Sequence, residues 1–245
     1  MDLVAYYDAY WKDKGDQFDH ERLDQIATYV QSGERVLALD CGPGVMAGKL
    51  IARGALVVGV DMSNVAVVRA REKGIEAYQV DLDVDPLPFP DSSFDTVLSD
   101  SGIEHRFHVG RALDEAIRVL RDGGKCILSL PNLGHWRYRL WLLRGRFPYV
   151  VNAPTDLTHL RFFTMHEGIT LLRQRGVNIE ATDGTVCLWA WKFYPFYLRW
   201  PVVRDIYARL AHGWPSLFAR DFILVGRKGR SQPSDGVDRT APGTP

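Results

Sequence analysis

Two short stretches carry residue types that could hold a nucleotide-like ligand. Arg35 to Gly44, RVLALDCGPG, runs apolar and small residues into a turn containing Gly42, Pro43 and Gly44. Such a run reads as a buried strand ending in a tight backbone bend. Bare backbone at such a bend can approach a ligand closely, and the helix that follows offers its N-terminal amides. Leu56 to Asp61, LVVGVD, is a continuous apolar strand terminating in a carboxylate. An adenosine-type ligand asks for an acid there to take both ribose hydroxyls, and Asp61 stands at about the expected spacing from the bend. The ordinary alternative for Asp61 is a helix-cap or turn aspartate.

The elements needed to position these residues follow from periodicity. Leu23, Ile26 and Val30 recur at helical spacing within Asp19 to Gln31, so a short amphipathic helix precedes the first strand. Val45 to Arg53 suits a helix stopped by Gly54, and Ser63 can cap another that runs to about Lys73 before Gly74. Further strands are expected at Ile75 to Asp81, Phe94 to Ser99 and Lys125 to Leu130, with an amphipathic helix over Arg111 to Leu120. This alternation specifies an α/β chain with a mostly parallel, doubly wound sheet. Beyond Pro131 come a basic aromatic helix within HWRYRLWLLRGRFPYV, a helix at His166 to Arg175, and strands at Val177 to Asp183 and Asp221 to Arg227. Together they make a single domain over residues 1–228, with an aromatic insert at about 186–218 and a disordered tail at 229–245.

Several motifs taken together carry a resemblance. The glycine turn, GVDMS (Gly59 to Ser63), Asp81 ahead of FPDSSFD (Phe89 to Asp95), GIEH (Gly102 to His105) and RVLRDGG (Arg118 to Gly124) span roughly residues 35–130. In this combination the chain resembles the class I S-adenosylmethionine-dependent methyltransferases. PNLGHWRYRLWLLRGRFPY and THLRFFT are further similar to the MetW group and to methyltransferases encoded with cell-envelope polysaccharide genes. The resemblance implies a Rossmann-like sheet of seven strands with an antiparallel last strand, and S-adenosylmethionine as cofactor. It implies that Asp61 binds the ribose, Met62 packs on the adenine, and Asp81 with the Leu82 backbone reads the adenine edge. Gly42, Gly44, Asp40 and Ser99 complete the expected cofactor contacts. Ordinary core packing for Met62 and a strand-end cap for Asp81 are the alternatives.

One departure stands at the turn. The family pattern is acid-x-Gly-x-Gly-x-Gly, and alignment on Gly42 and Gly44 puts Ala38 at the acid and Asp40 at the first glycine. Asp40 then either bonds the ammonium group of the cofactor's methionine end or repels its carboxylate. It also keeps open a second reading, a non-catalytic partner or regulatory subunit of a biosynthetic enzyme.

Methyl transfer from a sulfonium needs chiefly alignment, plus a base when the acceptor is a hydroxyl. His105 and His159 are the candidate bases, on loops beyond the fourth and fifth strands. Glu104 beside His105 could touch a metal, but two residues are no ligand set, and no metal is expected. Arg137, Arg139, Arg144 and Arg146 could grip an anionic acceptor near the mouth of the site or form a solvated helix face. The run Trp189 to Trp200 could be a substrate lid, a dimer face, a peripheral membrane patch or packing over a sheet edge.

Composition narrows the setting. Lys plus Arg and Asp plus Glu number 30 each, so no overall field recruits nucleic acid or an anionic membrane. Cys41, Cys126 and Cys187 are widely spaced and form no CxxC pair, which predicts reduced thiols and neither a zinc site nor a disulfide framework. The N-terminal stretch has acids and aromatics where a secretion signal needs a basic start and an apolar run, and Lys192, Pro195, Arg199 and Pro201 interrupt the insert too often for a membrane span. A cytoplasmic protein acting on a small-molecule or glycan-type acceptor is the resulting expectation, with a homodimer or enzyme partner left open.

Overall fold

The computed structural model describes residues 2–14, 18–151, 153–186 and 200–230. The tail from Ser231 and the aromatic run up to Arg199 lie outside the described residues. The elements in chain order are α1 Leu3–Asp13, α2 His20–Ala27, β1 Arg35–Leu39, α3 Val45–Ala52, β2 Leu56–Asp61, α4 Asn64–Glu72 and β3 Glu76–Gln79. There follow β4 Phe94–Asp100, a 3-10 turn Ile103–His105, α5 Val109–Val119, β5 Leu120–Pro131 and α6 Trp136–Leu143. The described part of the chain closes with α7 Met165–Arg173, β6 Val177–Thr185, α8 Pro201–Gly213, α9 Pro215–Phe218 and β7 Asp221–Lys228.

The strands form one sheet in the order β3-β2-β1-β4-β5-β7-β6. The pairs among β1 to β5 are parallel, while β7 runs antiparallel to both β5 and β6. The expected seven-stranded doubly wound sheet is therefore present. Strand order reverses between β1 and β4, and a crevice opens beyond the carboxyl ends of strands at such a switch point. Helices cover both faces, which is why β1 and β2 read as unbroken apolar runs. Leu37, Leu39, Val58, Val60, Val97 and Leu128 pack on one face with α5 residues Leu113 and Ala116. Val36, Ala38, Val57, Leu98 and Ile127 pack on the other with Leu23, Ile26 and Leu50. Each fully buried leucine or isoleucine contributes roughly 1.5–3 kcal/mol by leaving water.

Local differences from the sequence expectations have physical causes. α1 forms where the aromatic, charged N-terminal stretch carried no assigned helix. Asp2 caps it by accepting the Ala5 amide, and none of its residues is fully buried. The helix is tethered instead: the Asp8 carboxylate accepts from the Ser63 hydroxyl at 2.5 Å and the Val65 amide at 3.2 Å. Arg69 donates to the Trp11 carbonyl at 2.7 Å. β3 stops at Gln79, its pairing ending where β2 ends at Asp61, so Asp81 lies beyond the strand. β5 starts five residues early, because Leu120 already pairs with Phe94 before a register shift carries the ladder to Lys125. Within the aromatic insert Pro201 occupies the first helical turn of α8, where a missing amide costs nothing. α8 and α9 cover β6, the edge strand. Among the described residues no helix is long and apolar enough to cross a membrane.

Candidate functional site

A cavity of about 1020 Å³ opens at the switch point between β1 and β4. Its walls are the turn Asp40 to Pro43, Asp61 and Met62 after β2, Asp100 to Gly102 after β4, and the 3-10 turn with Glu104, His105 and Arg106. Tyr7, Tyr10 and Trp11 of α1 roof it, and Asp156, Thr158, His159, Arg220 and Asp221 close the far side.

The turn after β1 needs its glycines. Gly42 has φ +53°, and a Cβ there would lie 2.8 Å from the Trp11 ring, so bare backbone lets α1 sit on the turn. Gly44 has φ +77°, and its Cβ would meet Ile75 at 2.3 Å. Asp40 itself adopts φ +50°, the left-handed region that glycine enters freely. The carboxylate thus stands on a backbone conformation that favours glycine.

Asp61 is 5% exposed and accepts the Gly42 amide on one oxygen and the Ser63 amide on the other, each at 2.9 Å. It therefore locks the glycine turn to the start of α4. Burial, and then the Asp40 charge, push its carboxyl up to about 6. Met62 is buried against the same wall.

The charge beside Asp40 went unread in the sequence. Arg106, 1% exposed, pairs with Asp40 through one guanidinium nitrogen and with Asp81 through another at 3.2 Å. The second Asp40 oxygen is buried with no hydrogen-bond partner among the described residues, and a Cβ on Gly102 would come within 2.3 Å of it. Arg106 directly follows GIEH, and that adjacency was the available signal.

His105 and His159 are brought together, their ring centroids 4.9 Å apart on the cavity wall. Nδ1 of His105 lies 2.9 Å from the Thr158 carbonyl, and Nδ1 of His159 lies 3.0 Å from the Pro154 carbonyl. A carbonyl can only accept, so each Nδ1 carries the proton and each Nε2 keeps its lone pair. Burial, with help from His159, lowers His105 to about 4, and burial also lowers His159. Glu104 is 1% exposed, and neither carboxylate oxygen has a hydrogen-bond partner among the described residues. Burial pushes its carboxyl well above the ordinary range.

Other expected residues fall elsewhere. Ser99 is 3% exposed opposite Leu39 and Leu128 in the sheet, off the cavity wall. Leu82 is wholly buried in the core, and Asp81 sits behind Arg106, neither of them lining the cavity. The arginines of and after α6 do not line it either. Arg137 lies 5.0 Å over the Trp141 ring, and Arg139 donates to the Gly134 carbonyl. Among the described residues the cations that do reach the walls are Lys14, Arg22, Arg106 and Arg220. Arg22 holds Asp100 at 2.9 Å, and Arg220 holds Asp221 at 2.7 Å.

This sheet order, with its antiparallel β7 and a cavity over the β1–β4 crevice, is the fold of the class I S-adenosylmethionine-dependent methyltransferases. Residues 20–189 match the family model described as methionine biosynthesis protein MetW, and the chain belongs to that family. A probable S-adenosylmethionine-dependent methyltransferase of Mycolicibacterium smegmatis is 32% identical over 167 residues, 67% of this chain and 60% of that protein. The ubiquinone biosynthesis O-methyltransferase of Xylella fastidiosa is 27% identical, over 74% of this chain and 78% of its own length. The chain spans about half the length of several curated relatives it matches. In fold it is similar to Burkholderia thailandensis 1,6-didemethyltoxoflavin-N1-methyltransferase, solved with bound 1,6-didemethyltoxoflavin and S-adenosylhomocysteine. That likeness has a TM-score of 0.63 at 14% identity and covers 93% of this chain and 88% of that one.

Proposed function

We propose that the chain is an S-adenosylmethionine-dependent methyltransferase acting on a small-molecule or glycan-type acceptor. The observation that carries this reading is the Asp61 carboxylate, fixed at the end of β2 on the wall of the switch-point cavity and backed by the glycine turn. The printed names of the relatives and the S-adenosylhomocysteine in the toxoflavin-type enzyme support S-adenosylmethionine as cofactor.

In this reading Asp61 accepts the ribose hydroxyls, Met62 flanks the adenine, and the bare backbone of Gly42 and Gly44 passes the methionine end. An adenine-edge contact from Asp81 and the Leu82 amide requires Asp81 to turn away from Arg106. Asp40, neutralised by Arg106, offers its unpartnered oxygen to the cofactor's ammonium group. Held there, S-adenosylmethionine would supply an electrophilic methyl group to an acceptor oxygen or nitrogen, its sulfur ending as a neutral thioether. A hydroxyl acceptor gives its proton to Nε2 of His105 or His159, both of which stay uncharged at neutral pH.

Calorimetry with S-adenosylmethionine and S-adenosylhomocysteine tests the reading. Saturable heat with one site per chain is expected, and no heat at high micromolar ligand overturns it.

A further inference from the structure

Glu104, His105 and His159 make a group that the methyl-transfer reading leaves only partly used. One donor atom from each lies within 4.8 Å of the others. The third member comes from a loop more than fifty residues further on, so no local motif announces the set.

Three independent features of the group suit a cation. Glu104 is nine-tenths buried or more on the cavity wall, and neither of its oxygens has a partner among the described residues. Ionising that carboxyl costs several kcal/mol unless a positive charge meets it, on the order of the usual penalty for an unpaired buried ion. Both imidazoles present the arrangement typical of metal-bound histidine, Nδ1–H donated to a main-chain carbonyl and Nε2 left to coordinate. The 3-10 turn is itself braced, because the Glu104 carbonyl accepts the Leu160 and Arg161 amides at 2.8 and 3.0 Å. That pair of bonds ties the Glu104 backbone to the loop carrying His159.

We propose that Glu104, His105 and His159 bind one divalent first-row transition ion, with a remaining coordination position open to the cavity. Two imidazoles and one carboxylate suit zinc, manganese, iron(II) or cobalt(II), whereas magnesium prefers an all-oxygen set. Donors around such an ion stand roughly 3.3 Å apart, so binding draws the three side chains slightly together. The surrounding charge is mixed: Asp100 and Asp221 add negative potential at Glu104, and Arg22 opposes them. Tyr7 packs edge-on against His105 at 5.9 Å and shields one side of the site.

The inference does not rest on methyl transfer, since metal binding is read without cofactor or acceptor; with the ion bound both Nε2 atoms are engaged, so the base role of the two histidines belongs to the metal-free chain. The test is titration of the full chain, stripped with chelator, with cobalt(II), following its visible absorption and the heat of binding. One equivalent per chain with an intense band of four- or five-coordinate cobalt is expected. Glu104→Gln and His159→Asn are each expected to weaken binding at least tenfold and to lose the band, while retaining the wild-type circular dichroism. Failure of the wild-type chain to bind, a weak band of hexa-aqua type, or binding unchanged in Glu104→Gln would overturn the site. S-adenosylhomocysteine binding, measured separately, distinguishes loss of this site from loss of the cofactor reading.

Discussion

A Cβ on Gly102 would lie 2.3 Å from the Asp40 carboxylate oxygen that has no partner among the described residues, so the two residues share a corner that only one side chain can fill. Asp40 adopts the left-handed φ that glycine enters freely, and Gly102, just beyond β4, leaves the room for its carboxylate.

A double-mutant cycle therefore reads their coupling. Gly102→Ala alone should destabilise the fold, because Arg106 pins Asp40 against the new methyl group. Asp40→Gly alone removes one partner of a buried ion pair, at a cost of about 3 kcal/mol, partly offset by about 1 kcal/mol from relief of the left-handed φ. In the double variant the Gly102→Ala cost should largely disappear. Urea unfolding measures all three, and simple additivity would show that the corner is not shared.

Removing the Asp61 acceptor should uncouple the cofactor. Asp61→Asn keeps the shape of the side chain but gives up the charge that the ribose hydroxyls would meet. A charge-assisted hydrogen bond contributes about 1.5–3 kcal/mol, so losing two predicts a drop in S-adenosylhomocysteine affinity of about 100-fold or more. Calorimetry checks it, and unchanged affinity would place the ribose elsewhere.

The raised Asp61 carboxyl, about 6, also sets a pH dependence. Hydroxyl donors favour the charged form, so ligand binding releases a proton when the free protein starts protonated. Affinity should be flat above about pH 7 and fall towards tenfold per unit below about pH 6. For folding the sign is the reverse. The folded value lies above the unfolded 3.8, so the stabilising contribution of the protonated acid is complete below 3.8 and is lost as pH rises through about 6. The groups that set this value beside burial are Asp40, Arg106 and the Gly42 and Ser63 amides.

The α1 tether predicts a kinetic effect. Asp8→Ala removes the acceptor for both the Ser63 hydroxyl and the Val65 amide, two of the contacts that hold α1 over α4, and leaves the Arg69 bond to the Trp11 carbonyl in place. Stopped-flow displacement of S-adenosylhomocysteine, followed by Trp11 emission, should show faster release in the variant, with the melting temperature changed by only a few degrees, on the order of the shift for the loss of one or two hydrogen bonds. Unchanged release would mean that α1 does not gate the cavity.

Much of the sheet was legible because a parallel strand buried on both faces must be an apolar run, and Leu37, Val58, Val97 and Ile127 lie in such runs. Asp61 was legible too, as an acid at the end of one of them. The rest depended on contacts distant in sequence. Arg106 meets Asp40 across 66 positions, and no local pattern links the two. Ser99 and Leu82 sit beside site residues in sequence, yet the pleat and the core turn them away from the cavity. α1 escaped notice because it buries no residue fully, so its helical period leaves no apolar stripe.

β7 inserts between β5 and β6, both made before it, and delivers Asp221 opposite Pro131 on the cavity wall. A growing chain that has emerged only as far as β6 has no partner strand for either facing edge. The part of the cavity wall that Asp221 supplies therefore waits on long-range pairing, of a kind that forms slowly. Until that strand docks, the exposed edges of β5 and β6 are a window for mispairing with other chains.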